Sequence, residues 1–134
     1  MDNKQEKIRS SLKKDSDTVF ENQLERAEGL LSYDDEGRGR SEVDSDKISR
    51  DEEVYLATAG CWFASEGGDR EKPTVGSEEL AQATEYGRKS VSAAISNLKE
   101  DDLVESPSRG KYKVDYSNLS KGLKQIEKKV NNDE

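Results

Sequence analysis

Histidine is absent from this 134-residue chain, and cysteine occurs once, at Cys61. The first absence removes the commonest general base and the commonest metal ligand. The second excludes an internal disulfide and fits a reducing compartment. A zinc site needs several Cys or His ligands, and no such set can be assembled. Long apolar runs are missing too, with nothing near the roughly 18 residues that a membrane span requires. The opening MDNKQEKIRSS has no apolar core of the signal-peptide type. A cytoplasmic protein without membrane contact is therefore expected. Gly37, Gly39 and the Gly67-Gly68 pair lack the strand–loop–helix setting of a phosphate-binding loop. The abundant carboxylates fall in surface-type runs, without a cleft-forming partner set. The expectation is a protein that is not an enzyme and takes no metal, cofactor or small-molecule ligand.

Apolar residues are scarce, at 30% against 39% charged. The core must be compact, and one end of the chain contributes little to it. This length suits one domain with an appended arm. The division expected is a partly flexible helical extension over 1–45, a domain over 46–130 and a disordered tail over 131–134.

The net charge of −8 is unevenly spread. Residues 1–76 carry 12 Lys/Arg against 19 Asp/Glu, whereas residues 77–129 carry 10 against 9. Basic residues gather at Arg109, Lys111 and Lys113, and again from Lys121 to Lys129. Runs such as Asp34-Asp35-Glu36 and Asp51-Glu52-Glu53 resemble the acidic surfaces of proteins from salt-loving archaea, which stay soluble in concentrated salt. An ordinary acidic protein is the alternative.

Residues 1–15 show one weak stripe, Ile8 and Leu12. Phe20, Leu24, Ala27 and Leu31 then recur at i, i+4, i+7 and i+11, predicting a helix over about 17–31 with one apolar face. Asp34-Asp35-Glu36-Gly37 is a turn signal; the flanking Leu31–Tyr33 and Arg38–Val43 read as a short hairpin or as irregular chain. Ser49-Arg50-Asp51-Glu52 has capping-box form and opens a core helix to about Ser65. Its predicted face is Val54, Ala57, Cys61 and Ala64, broadened by Leu56 and Phe63, and Gly67-Gly68 ends it. Cys61 reads as a buried small apolar residue, and Trp62 as core, interface or both.

Thr74-Val75 suggests a short strand, and Ser77 the cap of a brief helix with Glu78 and Glu79 in its first turn. After Glu85-Tyr86-Gly87, a second helix begins near Arg88. Its Val91, Ala94, Ile95 and Leu98 step i, i+3, i+4, i+7. Leu103–Glu105 and Lys111–Asp115 read as strands around the turn Pro107–Gly110. Leu119, Leu123, Ile126 and Val130 mark a last amphipathic helix, capped by Ser117 or Asn118.

The stretch SEELAQATEYGRKSVSAAISNLKEDDLVESPSRGKYKV, Ser77 to Val114, resembles the winged helix-turn-helix family. Leu80-Ala81 matches its first-helix pair, Gly87 its tight turn, Ser90-Val91-Ser92 its second helix, and Leu98 with Leu103-Val104 that helix's close. Residues 1–45 have no counterpart in the motif. The resemblance implies a mainly α chain with a small β-wing, a class of α+β, carrying an N-terminal helical extension. It implies sequence-specific binding of double-stranded DNA and a role in transcription regulation. A recognition helix over 88–100 would enter the major groove and a wing over 105–114 would lie on the backbone. Burying Val91, Ile95 and Leu98 turns Arg88, Lys89, Ser92, Ala93, Ser96 and Lys99 outward. With Ser90 from the first turn, and with Arg109, Lys111 and Lys113 from the wing, these form the expected DNA-binding set. Homodimers of the family pair through helices outside the motif, which points to Phe20, Leu24 and Leu31 or to Leu119, Leu123 and Ile126; closing the monomer core is the competing use of both stripes. The alternative function is a protein–protein interaction module on the same scaffold, which suits a −8 surface.

Overall fold

The computed structural model describes residues 4, 5 and 16–132. It is a mixed α+β chain built around one central helix, with five helices and two small antiparallel sheets of two strands each among these residues. The weak stripe at Ile8 and Leu12, the Phe20 side chain and the last two residues of the tail lie outside the described part.

Helix α2 (Arg50–Glu66) begins at a complete capping box: the Glu52 amide donates to Ser49 Oγ at 3.2 Å and the Ser49 amide to Glu52 Oε1 at 2.7 Å. Gly67 closes it, as expected. Every residue from Glu53 to Ala64 is buried, so α2 is covered on all sides and not on one face alone. The extra cover comes from a hairpin, β1 (Leu31–Tyr33) and β2 (Gly39–Ser41), paired Leu31↔Ser41 and Tyr33↔Gly39. The hairpin forms despite its polar second arm. It forms because Gly39 lies directly on Gly60 of α2: a Cβ added at Gly60 would sit 2.6 Å from the Gly39 Cα. Residues 30–43 thus supply core contacts, with Leu30, Leu31 and Val43 buried.

Helix α1 (Ser16–Ala27) packs on the C-terminal helix α5 (Leu119–Asn132), and Arg26 pairs with Glu127 at 3.2 Å. The inward face of α1 differs from the expected stripe. Ala27 is buried as anticipated, but Gln23 takes the inward position and Leu24 is 42% exposed. Leu119, Leu123 and Ile126 of α5 are buried inside the chain, so that stripe serves the monomer core. A 3₁₀ turn, Tyr116–Asn118, precedes α5 and is capped by Asp115, in place of a cap at Ser117 or Asn118. The helix runs through Asn132, further than the periodicity suggested.

Arg70 ties these layers together. Its side chain is 15% exposed and makes five hydrogen bonds: two to Glu79 (2.7 and 3.1 Å) and one each to the carbonyls of Gly37, Lys72 and Thr74. Glu79 also accepts from the Cys61 thiol at 3.8 Å, and Cys61 Sγ accepts the Gly39 amide at 3.4 Å. One guanidinium therefore links the hairpin turn to the segment before Val75 and to Glu79, and through Glu79 to Cys61 of the central helix.

Burial raises the pKa of the Cys61 thiol above 9.0, and burial, with the charge of Asp115, raises that of the Tyr55 phenol above 10.0. Both groups hold their protons more tightly folded than unfolded. Their contribution to stability is complete below those ordinary values and falls as pH rises past them, where the unfolded chain ionises first. Urea unfolding midpoints should drop between pH 8 and pH 11. Tyr55→Phe should shrink that drop; an unchanged drop would show that Tyr55 plays no part in it.

Candidate nucleic-acid interface

Helix α3 (Ser77–Thr84) and helix α4 (Arg88–Glu100) pack on each other, and α4 packs on α2. The cap of α3 is Gly76, with no side-chain hydrogen bond; Ser77 is already the first helical residue, contrary to the cap expected there. Between the helices the left-handed position is Glu85 (φ 65°), while Gly87 is the extended cap of α4 (φ −70°) with open space around its Cα. The turn thus relies on Glu85 for its positive φ and not on the glycine.

On α4, Val91, Ala94, Ile95 and Leu98 are buried, and Arg88, Lys89, Ser92, Ala93, Ser96 and Lys99 are exposed. Asn97 is held by Asp51 of α2 at 3.0 Å, which fixes the rotation of the helix about its axis. Ser90 is half-buried and so less available than its neighbours. The first turn of α4 has no acidic residue and no side-chain cap. Its free amides, its helix dipole and the two cations Arg88 and Lys89 all carry the same sign there, an arrangement that an incoming anion relieves.

The second sheet joins β3 (Val104–Ser108) to β4 (Lys111–Val114). Val104 and Val114 are buried at its base and the tip stands in solvent. The register shifts between Glu105 and Ser108, around Pro107, which has no amide to give. Val75 adds a third, single-bridge strand: its amide and carbonyl both bond to Tyr112, at 2.8 and 2.9 Å. This bridge anchors the hairpin to the segment entering α3.

The two predicted basic clusters are set apart by α3. Arg88 and Lys89 follow its C-terminal end, and Lys111 shares a groove with Gly76, Glu78 and Gln82 at its N-terminal end. Eight residues of helix are about 12 Å long, a span comparable with the width of the major groove. Among the described residues, Arg88, Lys89, Lys99, Arg109 and Lys111 have no carboxylate partner within salt-bridge distance. Lys113 differs: it is half-buried and pairs with Glu105 at 3.3 Å. Two groove residues stand outside the expected DNA-binding set. Glu78 brings a negative charge beside Lys111, and Gln82, one turn further along α3, offers an exposed amide. Their i, i+4 spacing was the available signal.

Among the described residues no group of three or more Cys, Asp or Glu side chains is placed to hold a metal, and no helix is long and apolar enough to cross a membrane. No family model matches the chain, nor does any curated protein or solved structure.

Proposed function

We propose that this chain is a non-catalytic, sequence-specific double-stranded DNA-binding protein on a winged helix-turn-helix scaffold, acting as a transcriptional regulator. The element order supports the scaffold: central helix, single-bridge strand at Val75, two short helices, then a β-hairpin returning to that strand. The observation that carries the function is the outer face of α4, where Arg88, Lys89, Ser92, Ser96 and Lys99 are all exposed and the cations lack carboxylate partners among the described residues. Small serines let the helix approach base edges closely, and Arg88 reads guanine by a bidentate contact. Arg109 and Lys111 at the hairpin tip hold phosphates, with Lys113 and Ser90 in lesser roles.

The test is binding of a pool of duplex fragments, followed by fluorescence anisotropy across a range of potassium chloride. With Arg88 on a base, the four cations left for phosphates, Lys89, Lys99, Arg109 and Lys111, give a log–log slope of about −3.6, from roughly 0.9 counterions released per contact. A folded protein that leaves duplex DNA unbound even in dilute salt rules the reading out.

A second reading, a protein–protein interaction module on the same scaffold, is favoured by a specific observation. Glu78 beside Lys111 and Glu105 on Lys113 interrupt the basic surface with acid. Under that reading the same assay shows no DNA binding at any salt concentration.

A further inference from the structure

The N-terminal turns of α2, the end of α4 and one face of α5 enclose an open-sided cleft of about 270 Å³. Its walls combine apolar and polar groups: Leu98, Leu103 and Ile126 on one side, Asp101 and the Glu52–Lys129 pair at the rim, and Tyr55 with Gly122 at the floor. Three features stand out here. The Tyr55 hydroxyl is buried and has no hydrogen-bond partner, which native proteins seldom tolerate. Gly122 lies inside a helix, where glycine is disfavoured against every residue but proline. It is needed there because an added Cβ would come within 2.7 Å of the Tyr55 ring carbon Cζ. The Asp101 carboxylate has no partner among the described residues.

We propose that this cleft binds a small organic cation with an apolar body and a hydrogen-bond acceptor. The charges at the rim set the sign of the ligand. Lys129 is taken by Glu52 at 2.8 Å, and Asp51 by Arg50 and Asn97 at 3.0 Å each. Asp101 is left, at the C-terminal end of α4, where the helix dipole adds negative potential; Lys121, which shares an adjoining depression with it, lies outside the cleft and makes no ion pair with it. An ammonium group pairs with it while the apolar body lies on Leu98, Leu103 and Ile126. The acceptor receives a hydrogen bond from the Tyr55 hydroxyl, which requires the backbone of α5 at Gly122 to shift off it. The volume is near the lower end for ligand sites and suits a molecule of about a dozen heavy atoms. This departs from the sequence expectation of no small-molecule ligand. It stands independently of DNA binding, since neither Arg88 nor the hairpin tip lines the cleft.

L-phenylalaninamide is a suitable probe, with 3-phenylpropionamide as its uncharged counterpart. Amide chemical shifts of the full chain are followed in concentrated potassium chloride, which screens diffuse attraction to the −8 surface. Saturable shifts at Asp101, Leu103 and Gly122 are expected, with a dissociation constant on the order of 1 mM for a ligand this small. The uncharged analogue should bind about twofold to threefold more weakly, the scale of an exposed ion pair, and Asp101→Asn should erase that difference. Tyr55→Phe should keep the melting temperature and weaken the probe about fivefold. Shifts that never saturate, shifts scattered over the acidic surface, or undiminished binding by Tyr55→Phe would each overturn the site.

Discussion

Gly39→Ala should destabilise the fold by about 3 kcal/mol, lowering the melting temperature by roughly 10 °C. The added methyl group would lie 2.5 Å from the Cys61 amide nitrogen, 2.7 Å from the Gly60 carbonyl carbon, and nearer still to the Ala57 carbonyl oxygen. These are backbone atoms of a buried helix, so no side chain can turn aside. The hairpin must lift from α2, and Cys61 then loses the Gly39 amide as its donor. Gly60→Ala strikes the same contact from the helix side, because its Cβ would meet the Gly39 Cα and the Ser32 carbonyl at 2.6 and 2.9 Å. The pair should therefore be strongly non-additive, with the double variant little worse than either single one. Gly87→Ser is the control: space around that Cα is open, and serine is a good helix cap. It should leave the melting temperature unchanged or slightly higher. Chemical denaturation of the four variants settles the matter, and a Gly39→Ala protein as stable as its parent would mean that the hairpin does not rest on α2.

That contact also marks the limit of what the sequence discloses. Periodicity foretold the inward faces of α4 and α5 residue by residue, since Val91, Ala94, Ile95 and Leu98, like Leu119, Leu123 and Ile126, repeat at helical spacing and are buried. The Ser49–Glu52 cap was equally legible, because its chemistry is local. The hairpin was legible only as one of two readings, because its adhesion depends on two glycines twenty-one positions apart and a missing side chain leaves no periodic signal. Arg70 was hidden for a different reason. A charged residue in the polar stretch DREKPTVG reads as solvated surface, yet five acceptors from three parts of the chain converge on it. At the candidate interface, burial and spacing gave the exposed arc of α4 correctly. They could not reveal that Glu105 would meet Lys113 across the strand pair or that Glu78 would stand beside Lys111. Such meetings are fixed by register and by the approach of Gly76 to Gly110, not by any local pattern.

The double substitution Arg88→Ala with Lys89→Ala should weaken duplex DNA binding by about tenfold to a hundredfold, the scale of one lost base contact and one lost phosphate contact. Both side chains are exposed and make no ion pair among the described residues, so folding should be untouched. Removing like charges from the positive end of α4 should even stabilise the isolated helix start slightly. An effect on binding without an effect on melting thus separates a contact role from a structural one. The salt dependence gives a second, independent measure. Each lost phosphate contact reduces the log–log slope by about 0.9, so the variant's slope should be shallower by one such step, that of Lys89. Lys111→Ala tests the hairpin separately: it should lower affinity for every duplex alike, because a phosphate contact carries no sequence information. Glu78→Gln, which removes the acid beside Lys111, should act in the opposite direction and tighten binding. If the double substitution binds duplex DNA as tightly as the parent, with the same salt slope, α4 does not touch DNA, and the interaction-module reading takes its place.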